Sequence, residues 1–94
     1  MTYIDTARTA LESRLPGQDD ALLDLYALLV LVKGEEVTLQ DVHDAWAVWR
    51  SRTAPNHKSI MPFDQLTLSV QKLDQTYADA IAATRAALAE PKED

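Results

Sequence analysis

Cysteine is absent from this chain of 94 residues, and glycine occurs only twice. Without thiols there is no disulfide and no thiolate metal site. So little glycine leaves few residues for the tight turns and bulges of a strand-rich fold, and an all-α domain is expected. The opening Met1-Thr2-Tyr3-Ile4-Asp5 lacks both the basic stretch and the apolar run of a signal peptide, so the expected location is cytoplasmic. Cations are outnumbered, with nine Lys and Arg against fifteen Asp and Glu and a net charge of −6. That balance argues against general binding to nucleic acid or an anionic membrane, because both require cations to neutralise phosphates. The length excludes two domains and leaves one small core, which pairing with a second copy would enlarge.

What is present reads as four helices. From Thr2 to Leu15 the residues Ile4, Ala7, Leu11 and Leu15 recur at helical spacing, and Pro16-Gly17-Gln18 breaks the run. Asp19 or Asp20 can cap the second helix, which runs to Lys33 and is apolar almost all round from Leu22 to Val32. It is too short for a bilayer, which needs about 20 apolar residues. It reads as the core helix or as one face of a homodimer. Gly34-Glu35-Glu36 closes it, and Thr38-Leu39-Gln40-Asp41 forms a start like a capping box for a third helix reaching Arg52 or Thr53. Ala54-Pro55-Asn56 ends that helix, since proline has no amide hydrogen and disfavours helical backbone before it. An extended link through Pro62 is expected. A last helix from Thr67 or Ser69 to about Glu90 carries Val70, Leu73, Tyr77, Ile81, Thr84 and Leu88 on one stripe, with a frayed tail from Pro91 to Asp94. The expected fold is a small all-α four-helix domain with an extended link between helices three and four.

The unusual residues gather between Val42 and Tyr77, where both tryptophans, both histidines and the only phenylalanine lie. No carboxylate occurs between Asp44 and Asp64, so Arg50, Arg52, His57 and Lys58 form a local basic island. On a helical wheel Leu39, Val42, Ala45, Trp46 and Trp49 share the core face, while His43 and Arg50 fall on an exposed flank beside Trp46. Asp74, at the edge of the last apolar stripe, needs a partner, with His43, Arg50 and His57 as candidates. Either Asp74 orients a histidine in a polar pocket, or the group is a hydrogen-bonded strap fixing the link. Trp46 and Trp49 could stack on a ligand ring while Arg50 holds its anionic group, or they are core. No histidine pair stands at i, i+4, no glycine-rich phosphate loop exists, and Ser59 beside His57 is no triad. No catalytic residue, metal or cofactor is expected. The candidate ligand-binding or partner-binding residues are His43, Trp46, Arg50, Arg52, His57 and Lys58. Trp49, Pro62, Phe63, Asp74 and Tyr77 are expected to be structural.

The pattern His43-x-x-Trp46, His57-x-x-Ile60-Met61-Pro62-Phe63-x-x-Leu66, then Lys72 and Asp74, resembles the RyR domain, a small helical module repeated in ryanodine receptors and found alone in bacteria and phages. The whole chain is similar to short accessory proteins of actinobacteria and their bacteriophages. The resemblance implies a non-enzymatic module for a protein or a nucleotide-type ligand, with His43, Trp46, His57, Pro62, Phe63 and Asp74 as its signature. The family's Gly-Trp and Tyr-Gly loop is replaced here by Arg50-Ser51-Arg52-Thr53-Ala54-Pro55-Asn56. Three functions are then expected to compete. One is a phage-type accessory protein that binds and modulates a host protein in the host cytoplasm. The second is a module for a small anionic ligand at Arg50, His57 and Lys58 beside Trp46. The third is a structural homo-oligomer.

Overall fold

Two of the helices begin in the same way. The hydroxyls of Thr2 and Thr38 accept the amide hydrogens of Asp5 and Asp41, and each aspartate accepts the threonine's own N–H at 3.0 Å. Such reciprocal caps satisfy donors that a helix start leaves unpaired. They open α1 (Tyr3–Arg14) and α3 (Leu39–Ser51). Between them α2 (Asp20–Val32) is capped by Asp19, whose Oδ1 accepts from Ala21 N at 2.9 Å and Leu22 N at 3.4 Å. The computed structural model describes residues 2–89; the expected end of the last helix at Glu90 and the tail 91–94 lie outside the described residues.

The fourth helical rod consists of α4 (Leu68–Gln71) and α5 (Gln75–Ala89), joined by a 3₁₀ turn at Lys72–Asp74. Further 3₁₀ turns stand at Gly34–Glu36 and Phe63–Gln65, and no strand occurs among the described residues. Among the described residues the fold is all-α with four helices, as the glycine-poor composition implies. The turn inside the last rod corrects one detail. A 3₁₀ segment advances about 120° per residue instead of 100°, so the expected stripe rotates and Leu73 is left exposed.

α2 is the central helix, packed against α1, α3 and α5. Ala7 and Leu11, Leu23, Tyr26 and Val30, Val42 and Ile81 converge in the core, each 2% exposed or less. Their i, i+4 or i, i+3 spacing is what places them on one face of each helix. Each large aliphatic side chain buried in this way contributes about 1.5–3 kcal/mol. Thr84 is also buried, and its hydroxyl donates to Ala80 O at 2.7 Å, which removes the cost of an unpaired polar group. Gly34 follows α2 with φ of +60°, and a Cβ there would stand 2.8 Å from Arg85 Cγ. Only glycine meets both demands.

One further expectation changes. The link between α3 and α4 is not extended: His57 N donates to Ala54 O, Ile60 N to His57 O and Met61 N to Ser59 O, each at 3.0 Å. These turns arise because Pro55 starts a bend and the polar backbone of a solvent-facing segment finds local partners. α2 is the core helix and still leaves one side open. Leu28 is 51% and Val32 64% exposed, since α1, α3 and α5 cover only three of its flanks.

Candidate functional site

α3 places His43 and Trp46 one turn apart, so their rings stack with centroids 5.8 Å apart and planes at 26°. The link returns His57 to Trp46, edge to face at 5.3 Å, and sets Phe63 6.1 Å from His43. Its backbone also closes over the histidine: His43 Nε2 lies 2.7 Å from Met61 O. A carbonyl can only accept, so Nε2 carries the hydrogen of this bond. His43 is 3% exposed. The expected exposed flank of His43 is therefore corrected, and the cause is the link crossing over it, which a wheel of α3 alone does not contain. His57 is half-buried, and its Nδ1 accepts from Ser59 N at 3.1 Å. Ser59 thus serves the turn through its backbone.

Asp74 is half-buried. Burial holds its carboxyl above the ordinary carboxylate range, and the nearby His43 pulls it part of the way back. Among the described residues no hydrogen bond or ion pair reaches the Asp74 carboxylate, so it neither orients a histidine by a direct bond nor forms a strap bond to the link. Arg50 does not serve Asp74; its guanidinium lies over the Trp49 ring, 5.7 Å from the centroid. Trp49 points elsewhere too. Its Nε1 donates to Asp19 Oδ1 at 3.1 Å, tying the end of α3 to the cap of α2. Tyr77 packs tilted against Tyr26, ring centroids 5.4 Å apart and planes at 34°, and the Tyr26 phenol is pushed above its usual range by burial, then by Tyr77 and Asp74. Pro62 opens the 3₁₀ turn at Phe63. Gln71, a polar residue with no motif of its own in the sequence, locks that turn by donating Nε2 to Phe63 O at 3.1 Å and Leu66 O at 3.0 Å.

The basic island does not converge. Arg52 lines a groove with Ala21, Asp24, Leu25, Val48 and Trp49, whereas Lys58 lines another beside Met61, Gln65 and Val70. Arg50 and His57 line neither. An anionic ligand gains most where several cations face one cavity, and that arrangement is not found here.

A different feature is continuous. The groove at Arg52, about 250 Å³, shares Leu25 and Val48 with a second of about 280 Å³ bounded by Leu28, Leu29, Asp41, Asp44 and Ala45. Together they form a trough between α2 and α3. On the other side of α2, Ile4, Ala27, Leu28 and Leu31 border a third groove with Asp24. Ile4, Leu28, Val32 and Val48 are 46%, 51%, 64% and 52% exposed. The strip is flanked by charge: Arg8 meets Asp24 at 2.6 Å, an ion pair without an aligned hydrogen bond, and Asp20 at 3.6 Å, while Lys33 meets Asp41 at 3.7 Å. The signal for this surface was the apolar run of α2, but Ile4 and Val48 carried none of their own.

Among the described residues no group of three or more His, Asp or Glu is placed to hold a metal ion, and no helix is long and apolar enough to cross a membrane. No curated protein and no solved structure matches the chain. A family model matches residues 2–86, nearly the whole length. The chain belongs to the family described as Domain of unknown function (DUF7701).

Proposed function

We propose that the chain is a non-enzymatic binding module that acts by occupying the surface of a partner protein, with the outer face of α2 as its contact. The observation that carries this reading is the contiguous strip of Ile4, Leu28, Val32 and Val48, each about half exposed or more, along the central helix of the domain. Single exposed leucines are ordinary, but a strip with apolar grooves on both sides is the kind of surface that partners cover. The similarity to accessory proteins of actinobacteria and their phages extends the reading to a host protein whose activity the chain modulates. The small-ligand reading has less support, because Arg50, Arg52, His57 and Lys58 share no groove.

The test uses three tagged baits in an actinobacterial lysate: the unaltered chain, Leu28→Asp and the double variant Arg50→Ala/Lys58→Ala, with folding of each checked by circular dichroism. The same captured protein is expected with the first and third baits and is lost with Leu28→Asp. Loss with the arginine–lysine variant alone contradicts the reading and returns the site to the link.

A further inference from the structure

We infer that the occupant of the α2 face is a cationic amphipathic helix of another protein, seated in the trough between α2 and α3. The inference rests on the partner-binding reading above and specifies its chemistry. Its first ground is shape. The two grooves of the trough share Leu25 and Val48 and follow α2 from Ala21 to Leu29, so they succeed one another at about the spacing of a helical turn, 5.4 Å. Apolar side chains at i and i+4 of an incoming helix meet that spacing. A strand-adding partner needs an open sheet edge, and no strand occurs among the described residues.

The second ground is charge. From Asp19 to Lys33 the α2 segment carries three carboxylates and one lysine, and Asp24 lines the trough itself. The α3 wall adds Asp41 and Asp44 against Arg52 and against Arg50, whose guanidinium lies over the Trp49 ring, and Arg8 of α1 is engaged by Asp20 and Asp24. Lys33 is engaged by Asp41, while Asp44 forms no ion pair among the described residues. The trough's own lining, Asp24, Asp41 and Asp44 against Arg52, is therefore acidic in surplus. A second copy of this chain, itself at −6, would set the same surplus against itself, and an anionic membrane would be repelled in the same way. A helix with leucines on one side and lysines or arginines beside them satisfies the trough and its rim together.

The test is an NMR titration of the full chain with two short synthetic amphipathic helices that share one leucine face, one bearing lysines and the other glutamates. The lysine peptide is expected to shift the amides of Leu25, Leu28, Ala45 and Val48 and to bind about tenfold or more tightly than the glutamate peptide at low salt. Asp44→Lys, an exposed change on α3, is expected to narrow or invert that preference. Equal affinity for both peptides, absence of binding, or shifts confined to the link overturn the inference. If peptide charge is irrelevant while Leu28→Asp still abolishes capture of a partner, the inference fails and the partner reading stands. If light scattering finds a dimer that Leu28→Asp dissolves, both fail and the face belongs to a second copy.

Discussion

Around Trp46 the chain gathers its rarest residues and turns them inward; along α2 it gathers leucine and valine and leaves part of them outside. His43 is covered by Met61 and Phe63 of the link, and Trp46 lies between two imidazoles. Leu28 and Val32 stand on the central helix of the domain yet face outward. Residue chemistry alone would rank these two regions in the opposite order. What decides is the path of the chain: the link folds back over α3, whereas among the described residues nothing crosses the outer side of α2. The lesson is that an unusual residue marks a function only if the fold leaves it accessible.

The comparison can be broken first at His43. His43→Ala removes a buried ring, its aromatic contacts and the Met61 bond, so a loss of about 2–4 kcal/mol is expected, readable as a lower urea midpoint. A variant of ordinary stability would mean that the clasp does not hold the link. Trp49→Phe keeps an aromatic ring but cannot donate to Asp19; about 1 kcal/mol is expected to be lost, with the same measurement.

Asp74→Asn sharpens the comparison through pH. Burial raises the Asp74 carboxyl, so the folded chain retains that proton at pH values where the unfolded chain has released it. The stabilising share is complete below the ordinary value of 3.8 and is lost as pH rises through the folded value. Asparagine imitates the neutral group, so the stability of Asp74→Asn relative to the unaltered chain is expected to increase from about pH 4 toward pH 7. A decrease over that range would reveal a strong bond to the carboxylate. The smallest effects belong to the surface: Leu28→Asp and Arg50→Ala are each expected to change stability by no more than about 0.5 kcal/mol. A Leu28→Asp chain that unfolds would place that residue in a core formed with another copy.

Much of the fold was legible because its signals are local. Pro16-Gly17 broke α1, Asp19 proved to be the cap of α2, and Thr38 with Asp41 formed the box at α3. Two of the side-chain placements that the sequence does not show depend on elements distant in the chain. Trp49 meets Asp19 thirty positions away, and His43 meets Met61 eighteen away. Leu73 shares the stripe of the last helix only if that helix is uniform, and one 3₁₀ turn rotates it out. For the candidate site, the composition located the island of Arg50, Arg52, His57 and Lys58 but not its dispersal over separate surfaces. The leucine surplus of α2 was visible, whereas the contribution of Val48 and Ile4 required the packing of α3 and α1 on either side.

The most direct test of the contrast is an amide-resolved NMR titration of the full chain in two arms, one offering the lysine-bearing amphipathic helix and the other ATP as an anionic ligand with an aromatic ring. The account predicts shifts at Leu25, Leu28 and Val48 in the first arm and none around Trp46, Arg50, His57 and Lys58 in the second. Saturable shifts at Trp46, Arg50 and His57 with ATP, with α2 silent toward the peptide, would contradict it.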